Sequence, residues 1–338
     1  MGSCRVSPRL KLRYTNRCMP DNGRLLLIDG HAILHRAYHA IPPLSGPGGI
    51  PVNAVYGFLG MLLRVITDLK PQYLAVAFDL PAPTFRQKIY ARYQAQRPEM
   101  ADGLSSQIAL LHELLETMRV EHFEMAGYEA DDVIGTLAKN AGGLGAGGQR
   151  LETIIVSGDR DMLQLINENT MVCIPVRGLS ETKIYTARMV REEFGVEPAQ
   201  WADVKALKGD PSDNYPGVRG IGPKSAEKLI AQYQSLENLY ANMPEIAAKD
   251  KKLAEKLTRG ALDAQISKKL ATIACDAPVS LDPGKARLES IDWSAGTKYM
   301  REKLGFKSLV ERINKGQRGG ADDGKTVDVQ DKEQMKLL

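Results

Sequence analysis

Residues 24–29, Arg-Leu-Leu-Leu-Ile-Asp, form a short apolar run that ends on a carboxylate and is closed by Gly30. A run this short suits a buried strand better than a helix. The pattern recurs. Gln72–Phe78 (QYLAVAF) leads to Asp79, and Thr153–Val156 (TIIV) leads through Ser157 and Gly158 to Asp159 and Asp161. Further strands are expected near Val120–Phe123 and Thr170–Ile174, with helices around Tyr56–Leu69, Ser105–Met118 and Ala130–Asn140. This alternation implies an α/β fold, a mostly parallel sheet covered on both faces whose strands deliver their C-terminal ends to one edge. Asp29, Asp79, Glu129, Asp131, Asp132, Asp159, Asp161, Asp210 and Asp213 all sit just past a strand-like run or at a helix start, so they would converge. Adjacent carboxylates raise one another's pKa, whereas a divalent cation keeps them ionised. The chain therefore reads as a metal-dependent enzyme.

With 338 residues, 43% of them hydrophobic, the chain can bury a full core, and no apolar run is long enough to span a bilayer. The 45 basic and 41 acidic residues leave a net charge of only +4; with nine acids gathered in one place, the remaining surface is basic, as phosphate binding requires. Cys4, Cys18, Cys173 and Cys275 are far apart, which indicates neither a zinc site nor a disulfide framework and fits a reducing compartment. Residues 1–23 carry Arg5, Arg9, Lys11, Arg13 and Arg17 without the continuous apolar core of a secretory signal. They read as a disordered extension or a start upstream of Met19, the other reading being an organellar transit peptide. Residues 24–200 form the expected sheet domain. From about Trp201 strand-like runs give way to Ala/Lys/Leu/Glu-rich helical segments, a second domain over 201–314, followed by a polar tail over 315–338. Gly142–Gly148 (GGLGAGG) reads as a flexible connection, since no Lys-Ser/Thr follows it.

Single acids at helix starts are ordinary because they complement the helix dipole. Three within Glu129-Ala-Asp131-Asp132 are harder to explain that way: Glu129 and Asp132 share a helical face with Asp131 beside them, so at least two could reach one cation. Asp159 and Asp161 after TIIV, and Asp210 and Asp213 in GDPSDN, repeat the arrangement. The segment Pro216–Ala226 (PGVRGIGPKSA) differs in kind. Its glycines, including Gly220 and Gly222, bring backbone N–H groups toward a phosphate at a helix N-terminus, and Lys224 adds charge beside Ser225. Pro223 excludes a Walker A loop, and the spacing suggests a helix-hairpin-helix that grips duplex backbone without reading bases. His31, His35 and His39 recur every four residues but lack the Glu of H-E-x-x-H, so a wet face near phosphate is favoured over zinc. Between Phe85 and Arg97, the basic residues Arg86, Lys88, Arg92 and Arg97 alternate with Phe85, Tyr90 and Tyr93, a pattern that fits either a solvated helix or a grip on a single strand.

LLLIDGHAILHRAYHA, PVNAVYGF, FDLPAPTFR, YEADDV, SGDRDMLQLI, WADVKALKGDPSDNYPGVRGIGPKSA and LGFKSL together resemble the 5′-nuclease domain of bacterial DNA polymerase I, in the flap endonuclease superfamily. The likeness runs from about Arg24 to Ile313, and with about two dozen residues remaining the chain resembles a free-standing 5′-3′ exonuclease. The resemblance implies a PIN-like three-layer α/β/α domain with a helical arch at about residues 80–105, and a C-terminal helix-hairpin-helix domain. It assigns Asp29, Asp79, Glu129, Asp131 and Asp132 to one magnesium group, and Asp159, Asp161, Asp210 and Asp213 to the other. Arg36 and Arg86 become phosphate-contacting catalytic residues, with Lys88, Arg92, Arg97, Gly220, Gly222, Lys224 and Ser225 on the DNA. Backbone carbonyls of Leu207, Lys208, Pro216, Val218 and Ile221 would hold a potassium ion. In one place the chain departs from the family: Tyr93-Gln94-Ala95-Gln96-Arg97 has a glutamine where relatives carry a lysine, and Gln94→Lys would be expected to speed cleavage.

The implied reaction is Mg2+-dependent hydrolysis of DNA at 5′ ends, nicks or flaps, in replication and repair, by two ions about 4 Å apart, with Mn2+ as a substitute. The expected form is a monomer working beside a separate DNA polymerase and ligase, cytoplasmic at the nucleoid or organellar if residues 1–23 are a transit peptide. A PIN-type ribonuclease and a noncatalytic structure-specific DNA-binding protein are the alternatives. The hairpin argues against the first and the full complement of acids against the second.

Overall fold

The computed structural model describes residues 23–97, 100–145, 148, 150–179 and 181–318. The expectations for residues 1–22 and 319–338, and part of the Gly142–Gly148 segment, lie outside them. Six strands form one sheet: β1 (Arg24–Asp29), β2 (Tyr73–Ala77), β3 (His122–Phe123), β4 (Glu152–Val156), β5 (Thr170–Arg177) and β6 (Glu181–Tyr185). Their order is β3-β2-β1-β4-β5-β6, parallel except for β6, which runs antiparallel to β5 at the edge. Sequence periodicity had not singled out β6, whose Glu-Thr-Lys-Ile-Tyr is only partly buried.

The helices are α1 (Gly30–Ala40), α2 (Asn53–Leu69), α3 (Phe85–Ile89), α4 (Asp102–Thr117), α5 (Ala130–Lys139), α6 (Ala187–Phe194), α7 (Trp201–Lys208), α8 (Pro223–Tyr233), α9 (Leu236–Ala241), α10 (Met243–Lys249), α11 (Lys251–Arg259), α12 (Ala261–Ala271), α13 (Trp293–Glu302) and α14 (Lys307–Arg318). Because side chains alternate across a strand, both faces of each central strand must find cover. Leu25 and Leu27 of β1, Ala75 and Ala77 of β2 and Ile155 of β4 point into one core, which α5 to α12 complete. Leu26 and Ile28, Leu74 and Val76, and Ile154 and Val156 point into the other, beneath α1, α2 and α4. Complete burial of both faces is why these strands read as unbroken apolar runs.

The helical second half is continuous with the first core, through Trp201, Val204, Leu207, Ile230 and Leu257. It does not keep all of its helices there. Residues 286–288 run along the free edge of β2, where the Leu74 N–H donates to the Ala286 carbonyl at 2.8 Å and the Leu288 N–H to the Gln72 carbonyl at 2.8 Å. The chain then crosses to the far face, where Met300, Leu304, Phe306 and Leu309 of the α13–α14 segment pack over α2 and α4. Two-residue β3 leaves that edge of β2 open, and the crossing segment fills it.

Candidate active site

The acids are placed by local backbone needs before any chemistry. Asp29 ends β1 and caps α1, accepting from the Ala32 N–H at 2.9 Å, while its other oxygen takes the Ser157 hydroxyl at 2.7 Å. Asp79 follows β2 and accepts from the Ala130 N–H at 2.8 Å, which ties it to the start of α5. Glu129 caps α5. Asp159 follows β4 and caps a short 3-10 turn, taking the Asp161 N–H at 2.8 Å. Capping uses one lone pair of a carboxylate that has about four, so the same residue can fix a helix start and face a ligand. The reversal of strand order between β1 and β4 puts these caps at the crevice where open α/β sheets bind ligands.

Asp161, Asp210 and Asp213 have carboxylate oxygens within 4.8 Å of one another, although the last two come from the turn after α7. No other described His, Cys, Asp or Glu residues converge as tightly, so the three histidines of α1 show no such grouping. His31 instead accepts the Asp79 N–H through Nδ1 at 3.1 Å. The Asp131 carboxyl feels acids of both groups, Asp159 most strongly, then Asp29 and Asp79. A cleft opens on Glu129, Asp131, Asp159, Asp161 and Asp213.

Two assigned residues are paired with each other, and of the two only Arg86 lines the cleft. Asp132, grouped with the metal acids, is fully buried, and each of its oxygens accepts two hydrogen bonds: Arg86 Nη2 and the Ala274 N–H on one, Arg86 Nη1 and the Glu129 N–H on the other, all at 2.7–3.0 Å. Arg86, assigned to phosphate, is 2% exposed and also donates to the carbonyls of Leu270 at 2.8 Å and Thr272 at 3.1 Å. The pair joins the base of the arch to α5 and the end of α12. The shared helical face expected for Glu129 and Asp132 is used for a capping box, which leaves the neighbouring Asp131 to face the cleft.

The arch segment folds onto the cleft. Tyr93, one of the aromatics interleaved with the basic residues, is buried, donates to Glu129 Oε2 at 3.1 Å and stacks on Tyr215. Arg97 Nη2 pairs with Asp213 at 2.6 Å, and Gln94, at φ +56°, donates its N–H to the Asp213 carbonyl at 2.9 Å. Lys88 and Arg92 stay exposed. Arg36 donates to the Gly178 carbonyl at 2.8 Å.

Lys205 escaped the sequence reading. Its ammonium, 6% exposed, pairs with Asp161 at 2.7 Å and with Asp210. The available signal was a lone lysine in the otherwise apolar Val-Lys-Ala-Leu of α7. A cation already lodged between two of the converging acids fits the donor set to a positive ion, and an all-oxygen set fits a hard divalent metal.

Burial pushes Asp29, Glu129 and Asp161 each up to about 7 and lifts Asp131 well above the usual carboxylate range. Burial also acts on Asp210, but hydrogen bonds from Lys205 and Ser212 outweigh it and hold that carboxyl down to about 2. Groups whose folded pKa is raised stabilise fully below the unfolded value, about 4, and lose that contribution as pH climbs through about 7. Asp210 has the opposite sign, its contribution vanishing only as pH falls from about 4 towards 2. Calorimetry in EDTA should therefore give a higher Tm near pH 5 than above about pH 7, with divalent cation removing the difference. A metal-free Tm that climbs over that window would mean the carboxylates are ionised and already compensated.

Behind the acids, α7, the turn over residues 209–222 and α8 form a helix-hairpin-helix. Gly209 and Gly217 approach so closely that a Cβ on Gly209 would lie 2.4 Å from the Pro216 carbonyl oxygen. Gly222 precedes Pro223 at the first turn of α8, and Lys224 and Ser225 are exposed there, Lys224 pairing with Glu227 at 2.8 Å. Among the carbonyls expected to hold potassium, Leu207 accepts the Val218 N–H at 2.7 Å and Val218 the Ile221 N–H at 3.0 Å, which leaves each a second lone pair. Lys224→Ala should weaken duplex binding about equally across sequences and lower the salt slope by roughly one unit. Unchanged affinity over a salt titration would remove Lys224 from the interface.

A parallel sheet with an acid-lined cleft at its C-terminal edge and a helix-hairpin-helix behind it defines a PIN-like nuclease. The chain belongs to the 5′-3′ exonuclease family: residues 24–195 match the family's N-terminal resolvase-like domain and residues 196–294 its C-terminal SAM fold. It is 37% identical over 291 residues to the 5′-3′ exonuclease of Aquifex aeolicus, covering 86% of this chain and 95% of that protein. It is 41% identical over 296 residues to DNA polymerase I of Caldicellulosiruptor bescii and 37% over 311 residues to that of Bacillus subtilis, covering 86% and 92% of this chain. The chain spans about a third of the length of those polymerases (33% and 34%). Among solved structures, the zinc-bound T5 5′-exonuclease shares the fold at a TM-score of 0.59 and 18% identity, over 88% of this chain and 100% of the other.

Proposed function

We propose that this protein hydrolyses DNA phosphodiesters at 5′ ends, nicks and the bases of 5′ flaps, in replication and repair, with two Mg2+ ions at the acid cleft, Mn2+ as a substitute and K+ at the hairpin. The observation that carries the reading is the convergence of Asp161, Asp210 and Asp213 within 4.8 Å, with half-buried Asp131 lining the same cleft as Asp161 and Asp213. So concentrated a charge calls for cations. One group would be held by Asp29, Asp79, Glu129 and Asp131, the other by Asp159, Asp161, Asp210 and Asp213. Bound magnesium supplies Lewis acidity and neutralises charge on the reacting phosphate.

The remaining work falls to the chain itself. Exposed Lys88 and Arg92 attract the single strand, and the α8 N-terminus with Lys224 anchors duplex backbone. Arg97 and Lys205, paired with acids in this state, become available to phosphate when cations take over the carboxylates. The T5 flap endonuclease, solved as a pseudo-enzyme-product complex with DNA and metal ions and similar at a TM-score of 0.59 and 18% identity, supports DNA as the ligand. A monomer acting beside a separate polymerase and ligase, in the nucleoid or an organelle, completes the proposal. No helix among the described residues is long and apolar enough to cross a membrane.

A panel of 5′-flap, nicked and single-stranded DNA with a matched RNA, assayed with Mg2+ and with EDTA, tests this reading. Cleavage of flapped and nicked DNA only with metal is the expected result. Preferential RNA cleavage would favour a PIN-type ribonuclease, and tight DNA binding without cleavage a noncatalytic protein.

A further inference from the structure

Tyr215 closes the turn that carries Asp210 and Asp213. Its backbone exchanges both hydrogen bonds with Asp210, at 3.0 and 3.1 Å, and its ring stacks on Tyr93 with centroids 6.4 Å apart and planes 15° from parallel. Leu270 and Ala271 complete the small apolar cluster around the two rings. These contacts account for an aromatic ring here but not for its oxygen. Tyr215 is 4% exposed, and its hydroxyl has no hydrogen-bond partner. Folded proteins seldom leave a buried hydroxyl unsatisfied, and phenylalanine would fill the same space without that penalty.

The surroundings indicate what the hydroxyl faces. The charges acting on it are, in decreasing order, those of Asp161, Asp210 and Asp213, the three acids whose oxygens converge within 4.8 Å. It lies near them yet beyond hydrogen-bonding distance of each, so an intervening oxygen would complete the contact. A phenol is suited to that position because it donates a hydrogen bond without bringing a charge. Lys205 is the contrast, an ammonium that pairs directly with Asp161 and Asp210 and so competes with any cation for them.

We infer that the Tyr215 hydroxyl donates a hydrogen bond to an oxygen, of water or of phosphate, that enters the Asp161–Asp210–Asp213 site together with a divalent cation, which makes Tyr215 a positioning residue for that site. The inference rests on the proposed metal-dependent function and deepens it. It gives the hydroxyl opposite effects in two states: it destabilises the metal-free protein, where it is unpaired, and strengthens cation binding, where it is paired.

The test uses the full chain and Tyr215→Phe, with Asp210→Asn as the control for the metal site. Calorimetry in EDTA should show the phenylalanine variant melting about 2–4 °C higher than wild type. Titration with Mn2+ should show its affinity reduced about tenfold, by loss of one buried hydrogen bond. Repeating the titration with inorganic phosphate identifies the oxygen: a loss with Mn2+ alone means water, and a loss only with phosphate means a phosphate oxygen. Equal Mn2+ affinity of Tyr215→Phe and wild type, with and without phosphate, overturns the inference. So does a lower metal-free Tm, because the hydroxyl would then already be paired. Failure of wild type to bind Mn2+, or undiminished binding by Asp210→Asn, would instead sink the metal site on which the inference stands.

Discussion

Asp131→Ala and Asp159→Ala are each expected to lower the single-turnover cleavage rate by ~10³-fold or more, about 4 kcal/mol of lost transition-state stabilisation. DNA affinity should hold or improve. Asp131 comes from α5 and Asp159 from the turn after β4, both line the cleft, and Asp159 is the strongest charge acting on Asp131. Removing either takes a ligand oxygen from one of the two proposed groups and a negative charge that repels phosphate. Folding should be spared, because burial lifts Asp131 well above the usual range and an alanine relieves that crowding. EDTA should reproduce the loss in the unaltered protein. Wild-type rates in either variant, or undiminished turnover after chelation, would show that the chemistry lies elsewhere.

Arg86→Ala is expected to destabilise the protein by about 3–5 kcal/mol, because it leaves the Asp132 carboxylate buried without its counter-charge. Three Arg86 nitrogens engage Asp132, Leu270 and Thr272, and Glu129 lies 3.5 Å from Nη1. Tm should fall by on the order of 10 °C. Arg86→Met combined with Asp132→Leu should recover most of it, since a buried ion pair replaced by apolar side chains is often neutral. The measurement separates two roles for one residue. A phosphate-contacting arginine would leave Tm near wild type and weaken DNA binding or cleavage. The buried latch predicts the reverse emphasis.

Much of the fold was legible because burial on both faces leaves a plain trace. β1, β2 and β4 each carry an unbroken apolar run that ends on or just before an acid. β6 was not, since an edge strand with one exposed face can be polar, and its pairing with β5 comes from chain reversal after Arg177. The placement of α13 and α14 over α2 and α4 was also hidden. Their amphipathic pattern says that one face is buried, not which surface covers it.

At the site, the sequence by itself determined where the carboxylates start, because strand ends and helix starts fix where a side chain begins. Asp29, Glu129 and Asp159 are caps, and capping is a local backbone requirement. Which way each acid then turns was decided only by tertiary structure. Asp132 turned inward to Arg86, which arrives from 46 residues away, while Asp131 beside it faces the cleft. Lys205 became a counter-ion for Asp161 because α7 packs beside the turn that carries that acid, and Tyr93 became a buried partner of Tyr215 because the arch folds over the acids. Side-chain pairing between distant segments depends on distance and desolvation, and both are properties of the packed chain rather than of residue spacing.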